Sequence, residues 1–94
     1  MVHELRIPDD VARLIRNLHP IIKKKVRAAL QAILEKPTCG KPLKEELAGL
    51  RSLRMGRLRI VYRLGEDGTI EVVSIGPRRH VYEETYRKIR RKSD

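Results

Sequence analysis

The spacing of apolar residues changes period several times along this chain, and each change marks an element. Over residues 2–7, Val2, Glu4 and Arg6 alternate with His3, Leu5 and Ile7, which predicts a short first strand. Pro8-Asp9-Asp10 then opens a helix. Proline is tolerated in a first helical turn, and acidic side chains there meet the positive end of the helix dipole. Val11, Leu14, Ile15 and Leu18 recur at helical spacing until Pro20 interrupts. A second helix is predicted over residues 21–35. Ile22, Val26, Ala29, Leu30, Ile33 and Leu34 lie on one face, and Lys23, Lys24, Lys25 and Arg27 on the other. Residues 36–49 read as a connector, because Pro37, Gly40 and Pro42 break regular structure. The period then returns to two. Strands are predicted over residues 50–55, 58–64 and 69–75, with turns at Gly56 and at Glu66-Asp67-Gly68, where Asp-Gly suits a tight hairpin. From 81 to 91 the spacing is helical again, with Val81, Tyr82, Thr85 and Ile89. The architecture predicted is α+β. A small antiparallel-rich sheet of four strands, in the order β-α-α-β-β-β, packs against a helical hairpin and is followed by a C-terminal helix, all in a single domain, 1–94.

The strands carry a heavy load of arginine. Side chains alternate faces along a strand. Leu58, Ile60, Tyr62 and Leu64 therefore share the face that covers the helical hairpin, while Arg57, Arg59, Val61 and Arg63 share the face turned outward. A turn centred on Gly56-Arg57 sets Arg54 directly across from Arg59 on that outward face. Like charges so placed oppose folding by up to about 1 kcal/mol unless an anion bridges them. A merely solvated sheet face calls for polar residues of mixed kind. This one presents Arg54, Arg57, Arg59 and Arg63 with no acidic residue among them. Guanidinium groups are permanent planar cations that match phosphate oxygens. Arg78, Arg79 and Tyr82 follow the last strand and are placed to reach over the adjoining strands, where Tyr82 can stack on a base or exchange a proton. His80 is a further candidate acid or base. Tyr86, four residues after Tyr82, reads as a packing residue.

Charge and composition narrow the partner. Lys and Arg number 22 against 12 Asp and Glu, a formal net charge of +10. Such an excess favours an anionic partner, nucleic acid foremost. A chain of 94 residues buries only roughly 60–65% of its unfolded surface, so chemistry belongs on an open face or groove. The single Cys39 excludes an internal disulfide. His3, His19 and His80 are scattered, so no metal is predicted, and no glycine-rich phosphate loop or serine-centred nucleophile motif is present. No cofactor is expected. The N-terminus lacks an apolar signal core and no apolar run spans a bilayer, which predicts a cytoplasmic protein with no membrane partner.

Gly-Lys-Pro-Leu at 40–43, Leu-Ala-Gly-Leu-Arg-Ser-Leu-Arg-Met-Gly-Arg-Leu-Arg-Ile-Val-Tyr at 47–62 and Val-Ser-Ile-Gly-Pro-Arg-Arg-His-Val-Tyr at 73–82 together resemble the RelE/ParE toxin superfamily. The resemblance covers essentially the whole chain. It implies a toxin of a type II toxin–antitoxin pair and, for RelE-like members, cleavage of mRNA in the ribosomal A site. There the ribose 2′-hydroxyl attacks its own 3′ phosphate without a metal. By the pattern of the family, Arg54, Arg59 and Arg78 would surround the phosphate, Tyr82 would be the C-terminal catalytic tyrosine, and His80 would stand where other members use a histidine. Charge for docking to ribosomal RNA falls to Arg51, Arg57, Arg63, Arg79 and Lys44. The basic position two residues before Arg54 is Ser52 here, for which Arg51 or Lys44 would have to compensate. An arginine holds its proton at neutral pH, so the base is left to Tyr82, His80, Glu83 or a ribosomal group.

The partners so implied are the ribosome with its mRNA and a cognate antitoxin, an acidic chain that folds on binding. Operator DNA would be bound only by the complex with antitoxin. Two other readings remain open at this point: a ParE-like inhibitor of DNA gyrase, and a non-catalytic basic RNA-binding module.

Overall fold

The computed structural model describes residues 4–93; the side chains of Arg78, Arg79 and residues 91–93 lie outside that description. Three helices and a five-stranded sheet follow in the order β1 (Glu4–Arg6), α1 (Asp9–Arg16), α2 (Pro20–Glu35), β2 (Lys41–Pro42), β3 (Leu50–Met55), β4 (Leu58–Leu64), β5 (Thr69–Pro77) and α3 (Arg78–Ser93). Single 3₁₀ turns at Pro37–Cys39 and Glu45–Leu47 flank β2. The sheet order is β1-β5-β4-β3-β2, with β1 parallel to β5 and every other pair antiparallel. The α+β class and the helical hairpin match the prediction. The strand count does not: the connector contains a fifth strand of two residues. Two residues are too short to show a period. Pro42, which lacks an amide donor, is at home on the edge strand that β2 forms.

Within the described residues the predicted elements form for the reasons their spacing suggested; Val2 and His3 of the predicted first strand lie outside the described residues. Asp9 and Asp10 occupy the first turn of α1. Pro20 starts α2 at a position where its missing N–H costs nothing, and the His19 Nδ1 atom caps that helix by accepting from the Ile21 amide at 3.2 Å. Gly56 takes a φ of 64° in the two-residue turn between β3 and β4. Asp67 caps the next turn, its carboxylate accepting from the Thr69 amide at 3.0 Å. The hairpin face of the sheet buries Ile60, Tyr62, Ile70, Val72 and Ile75 against Val11, Val26, Ala29, Leu30 and Ile33. Ile70 and Val72 are two apart, but Ile75 is three further on. A bulge where Val61 and Tyr62 pair with Ser74 and Val72 absorbs the extra residue and keeps all three in the core.

The opposite face is covered too, which the strand pattern left open. The helix α3 begins at Arg78, three residues before the predicted start, and lies on that face. Val61, with no exposed surface, packs there with Leu50 and Val81. Much of its attachment is polar. The Ser74 and Thr85 hydroxyls are hydrogen-bonded in the buried interface. Lys88 donates to the Val73 carbonyl and pairs with Asp10 of α1 at 2.7 Å. That hydrogen bond from Lys88 holds the Asp10 carboxyl below its ordinary value of 3.8. A depressed carboxylate contributes stability above its unfolded value and loses it as pH falls through the folded one. Hydrogen-exchange protection in α3 should therefore weaken below about pH 4 more in the wild type than in Asp10→Asn. Equal weakening in both proteins would show that the pair does not hold the helix. Among the described residues, no helix is long and apolar enough to cross a membrane.

Candidate nucleic-acid interface

The register between β3 and β4 places Arg54 directly opposite Arg59, as the turn chemistry predicts, and Arg59 lies opposite Gly76 of β5. Arg59 thus has a like charge on one side and no side chain on the other. Arg54 is exposed and its Nε donates to the Gly56 carbonyl at 3.3 Å. Among the described residues, Arg59 makes no hydrogen bond or ion pair within the chain.

One row along the same face, Lys41, Ser52, Val61 and Ser74 lie side by side across β2, β3, β4 and β5. Tyr82 descends from α3 onto this row. Its ring packs on the Leu50, Val61 and Val81 cluster, and its hydroxyl donates to Ser52 Oγ at 3.3 Å. An open groove of about 370 Å³ results, lined by Lys41, Pro42, Leu43, Lys44, Leu47, Arg59 and Tyr82. The structure therefore brings together Arg59, Tyr82 and Lys44 from the residues singled out by sequence. Lys41 joins them and was missed, because its position depends on a strand pairing that a two-residue segment does not announce.

The other candidates lie elsewhere. His80 and Tyr82 are two residues apart on a helix, roughly 200° around its axis. His80 accordingly lines a different cavity, of about 390 Å³, between α3 and α1, and Glu83 lines it as well. Of the three protein groups considered as base, only Tyr82 reaches the groove. Arg51 points to the hairpin face, where its Nη1 donates to the carbonyls of Gly40 at 2.8 Å and Thr38 at 3.3 Å. It is occupied in fastening the connector and sits on the wrong face to replace a cation at Ser52. Arg63 pairs with Glu71 at 2.8 Å, and Arg57 is exposed in the turn. Tyr86 is exposed, not packed, with the Arg90 guanidinium 5.6 Å from its ring centre. The side chains of Arg78 and Arg79 lie outside the described residues, although Arg78 opens α3 two positions after Gly76.

A sheet backed by a helical hairpin, with a groove lined by Lys41, Lys44, Arg59 and Tyr82 beside its last helix, defines a class of small basic α+β domains. The profile of the ParE toxins of type II toxin–antitoxin systems (parDE) matches residues 6–82. The chain belongs to this family, within the RelE/ParE toxin superfamily. A search of curated proteins returns no match. Among solved structures, the chain is similar to the toxin–antitoxin complex RelBE2 of Mycobacterium tuberculosis, with 29% identity, a TM-score of 0.70, and 82% of this chain and 99% of that one covered. It shares its fold with a double arginine-to-alanine variant of E. coli RelE in the free state, at 19% identity and TM-score 0.76, over 95% of this chain and 99% of that one. It also shares the fold of the RelE–RelB complex of Pyrococcus horikoshii OT3, at 17% identity and TM-score 0.67, over 83% and 97% of the two chains.

Proposed function

We propose that this toxin is a ribosome-dependent mRNA endonuclease, held inactive by an acidic antitoxin that folds on it. The observation that carries the reading is the convergence of Arg59, Lys44 and Tyr82 on one open groove, next to an Arg54–Arg59 pair that repels itself when empty. Cleavage by the 2′-hydroxyl needs little covalent help from a protein. The 2′ oxygen bonds to phosphorus, the bond to the 5′ oxygen breaks, one proton leaves the nucleophile and one reaches the leaving group. Positioning and charge stabilisation supply most of the acceleration. Arg59 is suited to the equatorial phosphate oxygens, and Tyr82 is the proton-exchanging hydroxyl among the described residues that line the groove. An open groove suits an RNA strand already splayed by the ribosome. The antitoxin proposal is supported by the family and by the RelB-bound relatives.

A second reading, inhibition of DNA gyrase by protein binding, is favoured by the family profile itself, which is that of ParE toxins. A reconstituted translation reaction separates the two. Position-specific cuts in ribosome-bound mRNA, absent without ribosomes, are the result expected. Intact mRNA together with blocked gyrase supercoiling would overturn the endonuclease reading in favour of the second.

A further inference from the structure

We propose that Lys41 is a second phosphate-contacting residue of this groove, brought to the same groove as Arg59 by the short strand β2; the role rests on the endonuclease reading above. Residues directly opposite in an antiparallel pair share a face. Lys41 pairs with Ser52, which is 3% exposed and lies under α3, so Lys41 belongs to the same face as Arg59 and Tyr82. It lines the groove with both of them. Its side chain is exposed and, among the described residues, makes no hydrogen bond or ion pair. Neither Glu45 nor Glu46, the nearest acidic residues in sequence, lines the groove.

The backbone that carries Lys41 is anchored on both sides. The preceding Gly40 amide donates to the buried Tyr62 hydroxyl at 2.9 Å, and the Gly40 carbonyl accepts from Arg51 at 2.8 Å. On its other side, the Leu43 amide donates to the Leu50 carbonyl at 2.9 Å. A surface lysine without a task needs no such fixation, whereas a preorganised cation for developing negative charge does. The small Ser52 beneath leaves room for the Tyr82 ring and the Lys41 ammonium to approach the same volume. An RNA phosphodiester lying in the groove would then meet a guanidinium fork, a point charge and a phenol from the same lining.

The experiment is single-turnover cleavage on programmed ribosomes by the wild type, Lys41→Ala, Lys41→Arg and Lys23→Ala. Lys41→Ala should lower the rate constant about 10²-fold with little change in half-saturation, Lys41→Arg should recover part of it, and Lys23→Ala should match the wild type. A wild-type rate for Lys41→Ala overturns the proposal. An NMR titration of the folded wild type with inorganic phosphate judges the anion site even if ribosome-bound mRNA is left intact, which would sink the endonuclease reading alone. Joint shifts of the Lys41 and Arg59 side-chain signals support the paired site. Shifts at Arg59 with none at Lys41 overturn it.

Discussion

On the proposed endonuclease reading, alanine at Arg59 should lower ribosome-dependent mRNA cleavage by about 10²–10³-fold, the loss typical of removing one preorganised donor from developing charge. The domain should remain folded. Arg59 makes no internal hydrogen bond or ion pair among the described residues and stands opposite Arg54, so its removal relieves a repulsion of up to about 1 kcal/mol. The melting temperature should accordingly be equal to that of the wild type or slightly higher. Activity is therefore lost with no loss of stability, which a structural role would not produce. Arg59→Lys keeps the charge and loses the planar fork, so its rate should fall between the two. Single-turnover cleavage and thermal unfolding of the same preparations test this. Normal cutting by Arg59→Ala would place the phosphate site elsewhere, and a sharp fall in melting temperature would mark the residue as structural.

Phenylalanine at Tyr62 should have the largest effect on stability, about 2–4 kcal/mol. The Tyr62 ring is wholly buried, and its hydroxyl is the pin between sheet and connector. It donates to the Pro37 carbonyl at 2.7 Å and accepts from the Gly40 amide at 2.9 Å. Removing it leaves both backbone groups unpaired in a buried or half-buried setting, each at about 1–3 kcal/mol. For a domain this small the melting temperature should fall by roughly 10–30 °C. Gly40→Ala should behave similarly from the other side. A Cβ there would stand 2.5 Å from the Tyr62 hydroxyl and 2.8 Å from a ring carbon, and the packed ring has no space to retreat. Burial also raises the Tyr62 phenol above its ordinary 10.0. A raised phenol favours folding below its unfolded value and loses that contribution as pH climbs through the folded one. The wild type should lose stability above about pH 10 in a way that Tyr62→Phe does not. Melting curves within a few degrees of each other at neutral pH would show that the connector is held by something other than this tyrosine.

Much of the candidate groove's placement was legible from local rules. Gly56 with Arg57 defines a two-residue turn, the turn sets the register, and the register sets Arg54 against Arg59 on one face. Turn chemistry and alternation act over a few residues, and nothing elsewhere in the chain overrode them. The first two helices were equally readable, since Pro8, Asp9, Asp10 and Pro20 mark their starts and the apolar stripes exceed two turns. The family resemblance pointed to Tyr82, and the structure sets it beside Arg59.

Other positions depended on partners distant in sequence. Arg51 looks like one more member of the arginine stripe, yet alternation along β3 turns it to the hairpin face, where carbonyls of the connector claim it. His80 and Tyr82 are near neighbours in sequence, but α3 begins early enough to include both, and helical rotation sends them to different cavities. Lys41 sits between breakers, and only pairing with Ser52 carries it to the groove. Apolar period and turn residues are local properties, so the chain alone determined the elements, their order and the face on which the arginines of β4 fall. Which cations converge, and which are consumed in holding the fold, follows from long-range hydrogen bonds and packing that no short stretch of residues encodes.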